Sequence, residues 1–223
     1  MNRVVLLLLA LCAAAFAQAH GVASGDKAFI EANRGANLVP YMYLGAKHMV
    51  TGFDHLLFLC GVIFFLYRLK DVALYVTLFA VGHSTTLLLG VLNGWHVNPY
   101  VVDAIIGLSI VYCAIENLGG FRALGFQPNK KAAVLFFGFV HGFGLATKLQ
   151  EFSMSQEGLV ANVLAFNVGV EVGQLLALGV IVVLMRYWQA TAGPVRHALA
   201  SNVILMTAGF VLAGYQFTGY LTQ

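Results

Sequence analysis

Six long apolar runs divide this chain, at approximately 40–67, 72–93, 99–118, 131–149, 158–187 and 197–219. Each approaches or exceeds the ~20 residues that a helix needs to cross a bilayer core of about 30 Å. In hydrocarbon every backbone N–H and C=O must be bonded within the protein, so a spanning chain is either helical or a closed barrel. Runs of this length and composition read as spanning helices. The fold class expected is an all-α membrane protein, a bundle of six transmembrane helices. Only 9% of residues are charged, against about 25% in soluble domains.

The first nineteen residues have the layout of a signal peptide. Arg3 supplies the positive start, 4–16 the apolar core, and Ala17-Gln18-Ala19 the small-residue cleavage site. Cleavage there leaves His20 as the new terminus, whose α-amine and imidazole together make a candidate metal chelate. Residues 20–39 read as a short exported segment and 40–219 as the transmembrane domain. With the N-terminus exported, Arg68, Lys70, Arg122, Lys130, Lys131, Arg186 and Arg196 fall on the cytoplasmic side. The exported loops hold only Lys148, although Lys27, Arg34 and Lys47 lie in or next to the exported N-terminal segment. That charge bias obeys the positive-inside rule and places the chain in a bacterial-type inner (plasma) membrane. Short connections predict antiparallel packing of successive helices.

Other classes are disfavoured. The net charge is +3, with the basic residues spread out, so there is no nucleic-acid footprint. Cys12, Cys60 and Cys113 lie singly in apolar runs and form neither a disulfide framework nor a thiolate site.

The chemistry lies in ionisable residues within the spans. His48, Asp54 and His55 occupy the first run, His83 the second, His141 the fourth and Glu171 the fifth. Such groups cost roughly 2.5–3.5 kcal/mol each on insertion scales and face a packed or watery interior. Imidazoles with carboxylates are ligands for a divalent transition metal: nickel, copper, zinc, cobalt or iron. The topology places all six residues between the middle and the outer side of the membrane, so they are expected to converge on one metal site open to the exported side. On a continuous helix His48 and His55 share a face but stand about 10 Å apart along the axis. They would then serve as successive stations, or each join ligands from other helices. Asp54 is a ligand or an orienting carboxylate for an imidazole.

Further polar residues form a candidate pathway. Asn167, Glu171 and Gln174 make one stripe on the fifth span. Ser84 follows His83, and Asp103 lies near the outer end of the third span. Glu116 lies at its inner end, as a gate or as a structural partner for Arg122. Gly82 and the three glycines around His141 fit close helix approach. Phe79-Ala-Val-Gly-His83 and Phe137-Gly-Phe-Val-His141 are faintly alike, on helices running the same way.

The motif His48-Met-Val-Thr-Gly-Phe-Asp54-His55 resembles the first-helix signature of the HupE/UreJ family of small membrane proteins, a His, five residues, then Asp-His. Gly-His83-Ser, the Glu116-Asn117 helix end, His141-Gly-Phe-Gly and Phe166-Asn167-Val-Gly-Val-Glu171-Val-Gly-Gln174 are also similar to that family, and closer to its second branch. Permeases of the family usually carry Pro where this chain has Met49. The resemblance implies a nickel permease-like protein with its metal site in the membrane.

Three activities compete. The first is a permease for nickel or a similar divalent ion, passive or ion-coupled, since there is no ATPase motif. The second is an intramembrane metal-dependent hydrolase. The third is a metal-loading or assembly partner of another membrane protein. The topology itself is testable: a reporter enzyme that works only outside the cytoplasm should be active when fused after Gln223, and a cytoplasm-only reporter there should be silent.

Overall fold

The computed structural model describes residues 35–66, 68–150, 157–192 and 194–222. The signal sequence, most of the exported segment and His20 lie outside the described residues. Among the described residues all regular structure is helical: α1 (Leu38–Thr51), α2 (Phe53–Ile63), α3 (Leu69–Asn93), α4 (Pro99–Asn117), a single turn α5 (Gly120–Ala123), α6 (Lys130–Gln150), α7 (Leu159–Ala192) and α8 (Pro194–Leu221).

Five of these, α3, α4, α6, α7 and α8, contain stretches long and apolar enough to cross a membrane. The first expected span is different. It is not one helix but two, α1 and α2, joined at Gly52. Gly52 turns to ψ 98° and so leaves the helical path, while its N–H still bonds the His48 carbonyl at 2.9 Å. Glycine is a poor helix former, and two residues on Asp54 offers the backbone another partner. Its Oδ1 accepts the His55 backbone N–H at 2.9 Å. A side chain bonded to the backbone in this way competes with the helix and favours a fresh start.

The elements pack as three close pairs, and none joins neighbouring spans. The expected antiparallel neighbours are thus replaced by partners chosen through glycine. In α1 and α7, Gly45 lies against the Phe166 carbonyl, Gly169 against that of Met42, and a Cβ on Gly173 would stand 2.6 Å from the Ala46 oxygen. Residue numbers rise together along this contact, so the two helices are parallel. In α3 and α6, Cβ atoms on Gly82 and Gly138 would meet the Leu135 and Phe79 carbonyl oxygens, each at 2.5 Å. Gly142 lies against the His83 carbonyl. This pair is also parallel, and Thr86 donates across it to the Phe139 carbonyl at 2.7 Å. In α4 and α8, Gly107 faces Gly209 and Ala213, and Tyr100 faces Gly219. That pair is antiparallel. Water-driven collapse is absent in lipid, so close van der Waals approach through small residues sets the pairing.

Polar side chains tie the pairs together at their ends. Asn117 on α4 donates to the Gly61 carbonyl on α2 at 2.9 Å and to Asn202 Oδ1 on α8 at 3.0 Å. Lys148 on α6 bonds Asp103 on α4 at 2.9 Å. The outer surface is apolar and large: Leu175, Leu176, Val180, Val183 and Leu184 of α7 are each more than 60% exposed. A patch of that kind on a soluble protein would aggregate. In a bilayer it is the lipid-facing side.

Gly138→Val is expected to separate α3 from α6 and destabilise the protein by about 1–3 kcal/mol, the usual penalty for overpacking. Gly179→Ala should be neutral or slightly stabilising, because a Cβ there meets nothing within 4 Å. Thermal melts of the two detergent-solubilised variants against wild type measure the contrast.

Candidate metal centre

The break at Gly52 changes what His48 and His55 can do. The two rings come within 5.2 Å, centroid to centroid, instead of the ~10 Å spacing of a continuous helix. A Cβ on Gly52 would sit 2.8 Å from His55 Nδ1 and 3.1 Å from Asp54 Oδ1. The turn therefore needs glycine for space rather than for backbone freedom.

His55 is the hub of the cluster. Its ring centroid lies 5.0 Å from His141 and 6.0 Å from His83. The close α3/α6 pair sets those distances, since Gly142, next to His141, rests on the backbone of His83. Phe58 and Phe79 floor the cluster, with their rings 5.1 Å from His141. His55, His83 and His141 are buried, and Met49 packs in fully. His48 is half-buried.

The hydrogen bonds define which nitrogen of two rings is free. Asp54 Oδ1 lies 2.9 Å from His55 Nδ1, so the N–H is on Nδ1 and the lone pair on Nε2. Ser109 on α4 donates its hydroxyl proton to the Ile106 carbonyl at 2.6 Å. It can then only accept from His141 Nε2, over a long 3.4 Å. That puts the proton on Nε2 and the lone pair on Nδ1. These lone pairs have no partner. His48 Nε2, His55 Nε2, His83 Nε2 and His141 Nδ1 are all buried without a hydrogen bond. A buried orphan group costs about 1–3 kcal/mol, and four in one cluster mark a site kept for something other than stability.

As arranged, no three His, Cys, Asp or Glu side chains among the described residues form a finished ligand set. The imidazoles are gathered and their nitrogens are free, but closing them on one ion requires side-chain rotation. The donor set fits a divalent transition metal, and a carboxylate behind one imidazole is the usual support for a metal-binding histidine.

The other sequence candidates separate from this cluster. Glu171 is exposed on the far side of α3, where it accepts from Ser84 Oγ at 3.1 Å and from Asn167 Nδ2 at 3.5 Å. The expectation that it joins the histidines is corrected: Ser84 and His83 are consecutive on α3 and point their side chains to different faces. Gln174 is buried and donates to the Val76 carbonyl at 3.3 Å, tying α7 to α3. Asp103 is neutralised by Lys148. Glu116 pairs with Lys130 at 2.9 Å rather than with Arg122.

A family model described as HupE / UreJ protein matches residues 24–223. The chain belongs to the HupE/UreJ family. This membrane family is associated with nickel and cobalt transport or with urease and hydrogenase maturation, and its members are not known as enzymes. No curated protein and no solved structure matches the chain.

Sequence reasoning missed Ser109. A lone serine in a membrane helix usually bonds its own preceding turn. Ser109 does so too, which hides its second contact. The orphan nitrogens carry a stability test. His83→Leu should leave the metal-free protein as stable as wild type or up to about 1–3 kcal/mol more stable, because an unsatisfied buried nitrogen is removed. A melt showing a large loss would mean that His83 has a structural partner.

Proposed function

We propose that this HupE/UreJ protein is a permease for a divalent transition metal, nickel or a close relative, with His48, His55, His83 and His141 as its intramembrane binding site. The four buried, unpartnered imidazole nitrogens carry the reading. Soft and borderline nitrogen donors favour nickel, copper, zinc or cobalt over magnesium or calcium. Asp54 plays two parts. It holds the His55 tautomer with Nε2 free, and its negative charge offsets that of an arriving cation in a low-dielectric site. Ser109 holds the His141 tautomer with Nδ1 free. Gly52 supplies the bend that lets α1 and α2 contribute imidazoles to one point.

The ion would enter from the exported side, shed water into the imidazole shell and leave toward the cytoplasm. The Lys130–Glu116 pair lies at the inner end of α4. A protein that instead hands metal to an assembling metalloenzyme would use the same shell without flux. The family's association with enzyme maturation keeps that second reading in play. Uptake of radioactive nickel into proteoliposomes separates the two.

Asp54→Asn and His55→Ala are expected to abolish uptake while the protein still inserts. Ser109→Ala should weaken binding about 10- to 100-fold, the range for losing a group that orients a metal ligand. Ser109→Thr should restore it. Glu116→Gln should leave the affinity of the outer site unchanged. Binding should weaken as pH falls, because protons compete for the same lone pairs. Titration calorimetry with nickel reads the binding changes and proteoliposome uptake the loss of flux; wild-type affinity in both Asp54→Asn and His55→Ala would sink the proposal.

A further inference from the structure

Between α3 and α7 lies an open groove of about 520 Å³, separate from the histidine cluster. Its polar lining is Thr77, Ser84, Thr85, Glu171 and Gln174. The remaining lining residues, between Val76 and Leu88 on α3 and Leu175 on α7, carry no titratable group. Glu171 is exposed there, on the same helix as the strongly exposed Leu175 and Leu176. It is thus a carboxyl near the middle of a membrane span, at the surface that meets lipid.

From these observations we propose that Glu171 is a proton-binding site facing the bilayer, and that its proton is exchanged against the metal ion bound on the other side of α3. An ionised carboxylate is poorly tolerated at this depth without a countercharge. The groove offers none: Glu171 has one good donor, Ser84, and the longer contact from Asn167. Other ionisable groups near α7 lie elsewhere. On α1 they are Tyr41, Tyr43, Lys47 and His48, on α2 Asp54, His55 and Cys60, on α3 Lys70, Asp71, Tyr75 and His83, on α7 Arg186 and Tyr187, and on α8 Tyr215 and Tyr220; none of them lines the groove. The groove does not suit a transition metal, since it has no imidazole or thiolate. The simplest neutral state is the acid. One proton adds to the carboxylate oxygen when the group is in lipid and leaves when the group is ionised, with no change in oxidation state.

The link to the cluster is the His83–Ser84 dipeptide. His83 turns its ring toward His55, at 6.0 Å, and Ser84 turns its hydroxyl toward Glu171, at 3.1 Å. A divalent charge entering the cluster favours ionised Glu171 across one helix. By reciprocity the protonated acid disfavours the metal. This coupling rests on the metal-centre reading; the proton site does not.

The test uses the full-length protein in liposomes and dicyclohexylcarbodiimide, a lipid-soluble reagent that attacks protonated carboxyls. The expected result is a single adduct on Glu171, found by peptide mapping and absent in Glu171→Gln. Its rate should fall as pH rises, because only the protonated carboxyl reacts. Nickel should slow it in wild type and not in His55→Ala. Three results would overturn the proton site: no adduct at Glu171, equal labelling by a water-soluble carbodiimide at every pH, or protection by sodium. Nickel that binds without altering the rate would overturn the coupling. If nickel neither binds nor alters labelling, the metal-centre reading fails and the coupling with it, while an acid-dependent adduct still establishes the proton site.

Discussion

The bend at Gly52 is the constraint on which the rest of the site depends. A straight helix through residues 38–63 would hold His48 and His55 two turns apart, and neither could share an ion with the other. Leaving the helical path at one residue brings the rings to 5.2 Å. It also creates a new helix start, where Asp54 accepts from both the backbone and the ring of His55. One small residue thus folds the ligand motif and fixes the tautomer of its central member. In lipid an interrupted helix is tolerated only where protein or a polar cavity covers the freed backbone. Here the interruption lies inside the bundle and becomes part of the site.

The remaining imidazoles are placed by packing. His83 and His141 come from helices whose closest approach is at Gly138 and Gly142, so the glycines that draw α3 and α6 together also set the ring spacing. The buried phenylalanines beneath the rings exclude water from below. What keeps four unpartnered nitrogens in such a place is the surrounding shell, where Ser109, Thr86 and the Asp103–Lys148 pair have their bonds. The stability lost in the cluster is offset by van der Waals contact along three close helix pairs.

Much of this was legible in the residues. Apolar run length gave the helices, and the cost of burying charge singled out His48, Asp54, His55, His83 and His141. Two things were hidden. Hydropathy does not register a change of ψ at one glycine, so the first span looks continuous in the sequence. Short connections constrain only neighbours, whereas glycine faces decide which backbones touch. Glu171 shows the limit of reading depth without direction. It shares its level with the histidines, yet the rotation of α7 turns it to the outer surface. Ser109 was silent because its significance lies in a partner thirty-two residues away.

The parallel pairing of α1 with α7 has a consequence for biosynthesis. The contact between Asn37 and Asn162 spans 125 residues. At roughly 5–20 residues per second, the first element made waits some 6–25 seconds for the helix that will cover it. During that interval a broken, histidine-bearing segment stands in the membrane without its glycine-matched partner. The insertion machinery, or lipid at its lateral exit, has to shelter that segment. A nascent chain that stalls between α6 and α7 would carry all four imidazoles with α1 still uncovered and its bend open to the bilayer, a ready target for quality-control proteolysis.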